Sequence, residues 1–97
     1  MDEKKRLQES KLFTPYKLGN VTLRNRIIRS AAFESMGKDF APTQALKDYH
    51  VSVARGGVGM TTVAYASINR SGISFNKQLW LRDEIVPQLR DITDAVH

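Results

Sequence analysis

Two short runs near the start of the chain alternate apolar and polar residues, Tyr16-Lys17-Leu18 and Val21-Thr22-Leu23. Gly19-Asn20 lies between them, a dipeptide that tolerates positive φ and suits a two-residue hairpin turn. After Asn25 the alternation stops. Arg26 to Arg29 carry Ile27-Ile28 at their centre, two adjacent β-branched residues that predict a parallel strand covered on both faces. Residues 31–42 read as a loop, broken by Gly37, Lys38, Asp39 and Pro42. The period then changes to that of a helix. Thr43 is the expected N-cap, and Leu46, Tyr49 or His50, and Val53 share one face over about a dozen residues. Gly56-Gly57 supplies a left-handed end to that helix. Val58 to Ala64 predicts a second parallel strand, and 65–80 a long loop rich in Asn, Ser and Gly. A last helix starts near Asp83 or Glu84, with Pro87 in its first turn and Ile85, Leu89, Ile92 and Val96 as its apolar stripe.

Hairpin, strand, helix, strand, helix is an α/β order built on one βαβ unit. Two parallel strands leave edges unpaired, and the last helical stripe needs a sheet to cover. The pattern therefore reads as the opening of something longer, and exposed edges predict a homo-oligomer or aggregate for such a piece alone.

Composition narrows the function. The chain has 97 residues, an ordinary hydrophobic share of 41% and no Cys, which excludes disulfides, thiolate catalysis and Cys-based metal sites. The terminus Met1 to Arg6 is charged and no apolar run follows it, so it is not a secretory signal. With no run long enough for a membrane span, a cytoplasmic location is expected. Residues 1–11 are polar and are expected to be disordered. The formal charge is +5, with Lys4, Lys5, Arg6, Lys11, Lys17, Arg24, Arg26 and Arg29 all before residue 30. A basic face can attract nucleic acid, but no aromatic residues are interleaved here as a stacking platform. A solvated surface is the simpler reading.

Several residues carry possible chemistry. Gly56-Gly57-Val58-Gly59 follows a helix and opens a strand, the reverse of a dinucleotide fingerprint, so it is read as a tight turn and not a phosphate loop. His50 has only Asp48 as a nearby carboxylate, which points elsewhere on a helix, and is read as a core-edge histidine. Glu34 and Asp39 could form an acid/base pair in the loop after the first parallel strand, but structural roles are the simpler reading. Trp80 is read as a hydrophobic plug under the long loop, or alternatively as part of a partner surface.

Taken together, Leu12-Phe13-Thr14-Pro15-Tyr16-Lys17-Leu18-Gly19-Asn20-Val21-Thr22-Leu23-Arg24-Asn25-Arg26-Ile27-Ile28 resembles the N-terminus of the Old Yellow Enzyme family. The stretches Pro42-Thr43 through Met60, and Asp83 through His97, resemble the same family in spacing and composition. The resemblance implies residues 12–97 as the first quarter of an FMN-type (β/α)₈ TIM barrel, incomplete in this chain, with the hairpin closing its bottom. It implies an FMN-dependent, NAD(P)H-using oxidoreductase that reduces activated C=C bonds or related acceptors. It places Ser30, Ala31 and Ala32 at the end of the first barrel strand and Ala64 and Tyr65 at the end of the second, all beside the flavin. Many relatives carry a Thr or Cys that hydrogen-bonds the flavin carbonyl. Ala32 and Phe33 stand there in this chain, and neither side chain can donate. The family's substrate-binding His/Asn or His/His pair, proton-donating Tyr and phosphate grip come from later strands. The 97 residues alone are therefore expected to be inactive, with no specific nucleic-acid or membrane partner.

Overall fold

The computed structural model describes residues 3–97. The alternating runs form the predicted hairpin. Strand β1 (Tyr16–Leu18) pairs antiparallel with β2 (Val21–Leu23), with Tyr16 opposite Leu23 and Leu18 opposite Val21. Gly19 sits at φ +60° in the turn. Only Leu23 of the hairpin is buried, so this element is a cover whose outer face is open.

Strand β3 (Ile28–Arg29) runs parallel to β4 (Met60–Thr61), with Ile28 opposite Met60 and Arg29 opposite Thr61. Both strands are shorter than the apolar runs that predict them. Ile28 is 46% exposed, which corrects the expectation of a strand covered on both faces. Such burial needs elements packed on both faces of the sheet, and the helix over Gln44–Arg55 packs against β4. Among the described residues β3 has β4 alone.

The connection between them is helix α2 (Gln44–Arg55). Thr43 caps it as expected, its Oγ1 accepting from the Leu46 amide at 3.2 Å and donating to the Met36 carbonyl. Leu46 and His50 are the buried residues of its inner face. Gly57, at φ +111°, turns the chain back toward β4. Helix α3 (Val86–Val96) follows a short 3₁₀ turn over Asp83–Ile85 and has its Pro in the first turn. Leu46, Leu79 and Ile92 form the core cluster, with Met36, Leu89 and Val96 packed against it. The stripe on α3 thus meets α2 and the chain around Leu79, and Ile85, which falls in the 3₁₀ turn before the helix, is more buried still.

Two segments differ from their expected forms. Residues 65–80 are not a plain loop: β5 (Ala66–Ser67) and β6 (Leu79–Trp80) pair in parallel across a 3₁₀ turn at Arg70–Gly72. Within the terminus expected to be disordered, Glu3–Glu9 is a helix, α1, with Glu3 in its first turn and Arg6 in its last. Met1 and Asp2 lie outside the described residues. The whole is a partial α/β arrangement of three two-stranded sheets with no closed barrel.

Candidate functional site

The C-terminal ends of β3 and β4 lie side by side because their parallel register is in step. Barrel-type α/β proteins build their sites at such ends. Beyond β3 the chain runs through Ser30, Ala31 and Ala32, all exposed. Beyond β4 it runs to Ala64 and Tyr65. Ala64 is buried, while Tyr65 is 44% exposed and holds φ +63°, a left-handed conformation uncommon for an aromatic residue. The structure therefore brings the two predicted groups together, with Ala64 turned inward and Tyr65 outward.

Beneath these ends lies a polar cluster. Glu34, its side chain 4% exposed, accepts three hydrogen bonds on one oxygen, Oε1. The donors are His50 Nε2 at 3.1 Å, the Ala64 amide at 3.2 Å and Arg29 Nη1 at 3.3 Å. Arg29 also donates to the carbonyls of Thr62 at 2.6 Å and Ala32 at 3.3 Å, and to Tyr49 Oη at 3.2 Å. Its guanidinium stands 4.9 Å from the Tyr49 ring centroid. His50 is fully buried, and its Nδ1 lies 2.9 Å from Thr61 Oγ1. Burial holds its pKa below the ordinary 6.5, against the opposing pull of Glu34. The ring is therefore neutral. Nε2–H donates to the Glu34 carboxylate and Nδ1 accepts from the Thr61 hydroxyl, the tautomer this network requires.

This cluster differs from the pairs considered in the sequence. Asp39 does not join Glu34. Its carbonyl, with that of Phe40, accepts from Arg82, and Asp39 and Phe40 both hold positive φ. The carboxylate that serves His50 is Glu34, sixteen residues earlier. Helical spacing cannot reveal it, because Glu34 reaches α2 from the loop after β3. The available signal was an acidic residue placed directly after an apolar strand end, where the following helix packs back. Arg29 too was missed as a member of the site. Trp80 is neither plug nor open surface alone: it is half-buried in β6, with the Arg82 guanidinium 4.8 Å from its ring centroid.

Above the strand ends three rings cluster. Phe33 lies 4.9 Å from Tyr65 and 5.3 Å from Phe75, and Tyr65 lies 5.2 Å from Phe75, centroid to centroid. All three keep more than a third of their surface exposed. Phe75 is set in place by Gln78, buried, whose Oε1 accepts from the Ser74 and Phe75 amides. The amides of Ala31, Ala32 and Phe33 form no backbone hydrogen bond among the described residues. Free amides beside small side chains, flanked by exposed rings, fit a planar heteroaromatic group with polar edges. No set of three or more potential metal ligands occurs among the described residues. A cavity of about 510 Å³ lies elsewhere, near the ends of α2 and α3, lined by Arg24, Arg55, Met60 and His97 among others. Thr61, whose hydroxyl meets His50, also lines it, but none of residues 29–34 or 62–65 does.

Known proteins resemble the chain in sequence and in fold. The chain is 43% identical over 86 residues to 4,4'-dithiodibutanoate disulfide reductase of Rhodococcus erythropolis, covering 89% of this chain and 21% of that protein. It is 47% identical over 88 residues to a probable N-methylproline demethylase of Rhizobium meliloti, covering 89% of this chain and 13% of that protein. The chain thus spans about a fifth or less of the length of these curated relatives. Its fold matches the old yellow enzyme from Trypanosoma cruzi with a TM-score of 0.75 at 28% identity, over 90% of this chain and 24% of that one. A complex of 2-naphthoyl-CoA reductase gives a TM-score of 0.83 at 21% identity, over 89% and 14% of the two chains, a likeness of fold. Residues 11–97 match the NADH:flavin oxidoreductase / NADH oxidase family, and the chain belongs to that family.

Proposed function

We propose that this chain forms the first quarter of an FMN-dependent (β/α)₈ oxidoreductase, residues 12–97 being its opening hairpin and first βαβα unit. The observation that carries this reading is the set of free amides and small side chains at the joined ends of β3 and β4, in a chain of this family. Bound FMN would supply hydride exchange between NAD(P)H and an activated C=C bond or related acceptor. Ser30, Ala31, Ala32, Ala64 and Tyr65 are the residues that would hold it. The small side chains of Ala31 and Ala32 would let the main chain approach the ring edge, and their free amides would be available to donate to it. Ala64 backs the site from inside, and Tyr65 with Phe33 and Phe75 shields one side from water. The Ala32 and Phe33 side chains offer no donor, so a bond from these two positions to a flavin carbonyl would be the backbone's. Relatives named as a disulfide reductase, a demethylase and an NADPH dehydrogenase support a redox role and leave the acceptor open.

The test is Ala32→Leu in the protein at its full natural length, with FMN affinity measured by fluorescence titration. A leucine between the amides and the ring should weaken FMN binding by about tenfold or more, as overpacking costs roughly 1–3 kcal/mol. Ala45→Ser, exposed on α2, should leave it unchanged. Unchanged affinity in a folded Ala32→Leu protein would refute the site.

Self-association of the 97 residues alone is favoured by the open edges of β3 and β4 and by the exposure of Ile28 and Val63. A monodisperse monomer by light scattering at high concentration would count against it. The basic excess is partly structural. Arg24 donates to the Val58 and Ala54 carbonyls, Arg26 lies over the Tyr16 ring, and Arg29 serves the Glu34 cluster. This favours a solvated, fold-supporting use of the charge over a nucleic-acid partner, in a protein read as cytoplasmic. No helix of the described residues is long and apolar enough to cross a membrane.

A further inference from the structure

We propose that Glu34 is a positioning residue for the flavin: its carboxylate, with Arg29 as its arm, sets the backbone at the ends of both parallel strands. The inference rests on the flavin reading above and deepens it by naming what holds the binding backbone in place.

Three elements meet on one oxygen. Glu34 Oε1 accepts from the amide of Ala64 beyond β4, from Arg29 at the end of β3, and from His50 on α2. Arg29 extends the connection to the carbonyls of Ala32 and Thr62. Residues 32, 62 and 64 are therefore tied to one carboxylate either directly or through one guanidinium. Neither Glu34 nor Arg29 is placed to meet a ligand itself. Their side chains are 4% and 15% exposed; Arg29 donates to the carbonyls of Thr62 and Ala32, to Tyr49 and to Glu34, and Glu34 Oε1 accepts from Arg29, His50 and Ala64. A core that needed only filling would place an apolar residue here, since a buried ion pair is weak evidence for stability. Multiple bonds to main-chain groups on two adjacent loops are what a precise backbone cradle requires, because a site holds its ligand well only when its support is locked. His50 completes the support. Its neutral ring donates to Glu34 and accepts from Thr61, so the carboxylate cannot swing away without leaving a buried imidazole N–H unpaired.

The test uses the protein at its full natural length, purified with FMN. Glu34→Gln keeps the shape and removes the charge. The amide oxygen that remains is an uncharged and weaker acceptor for Arg29, His50 and the Ala64 amide. The variant should therefore weaken FMN binding on the order of tenfold, as weakening an outer-shell contact does at other bound groups, and shift the flavin absorption bands and reduction potential. Ile92→Val serves as the control. It loosens the core between α2 and α3 without touching the strand ends, and should leave the bands and the potential unmoved. Should Glu34→Gln not fold, Arg29→Lys takes its place. It retains the positive charge beside Glu34 but cannot span the carbonyls of Ala32 and Thr62, and should move the same bands. Unchanged FMN affinity and spectrum in the folded Glu34 or Arg29 variant would overturn the proposal while the flavin reading stands. So would an equal spectral shift in Ile92→Val. A wild-type protein that binds no FMN would overturn both.

Discussion

A methyl group at position 59 would have nowhere to go. A Cβ built on Gly59 overlaps the Asn25 carbonyl oxygen and stands 2.8 Å from Asn25 Oδ1. Asn25 is buried and cannot retreat freely. Its Nδ2 donates to the Gly57 carbonyl at 2.5 Å and its Oδ1 accepts from the Ile27 amide at 3.0 Å. Gly59 itself donates to the Ile27 carbonyl at 2.8 Å, the bond that begins the β3–β4 pairing. Forcing backbone apart here costs roughly 1–3 kcal/mol, and weakening the two Asn25 bonds costs about 1 kcal/mol each. Gly59→Ala should therefore destabilise the protein by about 3–5 kcal/mol. The two glycines before it provide internal comparisons. Gly57 has open space but φ +111°, so Ala there costs about 1–3 kcal/mol of backbone strain. Gly56 has ordinary helical φ of −68° and a Cβ there would lie 3.3 Å from the Val53 carbonyl oxygen, so Ala should stay within about 1 kcal/mol of wild type. The assay is urea unfolding followed by far-UV circular dichroism. A loss of about 3 kcal/mol with a slope near 1.5 kcal/mol/M lowers the midpoint by about 2 M. A Gly59→Ala midpoint within about 0.5 M of wild type, or a Gly56→Ala loss as large as that of Gly59→Ala, would refute the steric account.

Three further outcomes are expected. Buried His50 takes up a proton less readily than the unfolded chain, whose histidine titrates near 6.5. Stability should fall as pH drops below that value and level off once folded His50 protonates, with a slope of at most about 1.4 kcal/mol per pH unit from this residue. His50→Gln should flatten that slope in urea melts, and equal slopes would disprove the assignment. Thr43→Ala removes the cap of α2 and should cost about 1 kcal/mol by thermal unfolding, most of which Thr43→Ser restores; a Ser variant as unstable as the Ala one would contradict this. Arg82→Gln releases the carbonyls of Asp39, Phe40 and Trp80 and should speed tryptic cleavage after Lys38. An unchanged cleavage rate would show that the turn is held by other contacts.

The features legible in the sequence are those that a few neighbouring residues decide. Gly19-Asn20 between two alternating runs specifies its turn by permitted φ. Thr43 caps α2 through an amide three residues on, and the Leu89, Ile92, Val96 stripe on α3, continued by Ile85 in the turn before it, is a matter of helical period. Residues 30–32 and 64–65 are placed at strand ends by the family resemblance, and they follow β3 and β4 along the chain. Tertiary structure decided what depends on contacts between distant positions. That Glu34 and Arg29, not Asp39, partner the buried face around His50 follows from how the loop after β3 folds back on α2. The parallel pairing of Ala66–Ser67 with Leu79–Trp80 joins segments with no marked period of their own. Gly59 looked like a turn glycine in a Gly-rich run, yet its place is required by the Asn25 backbone, thirty-four residues earlier. Ile28 carries the pattern of a fully covered strand and is half exposed, because a residue's period states which face could be buried, and only its neighbours decide whether it is.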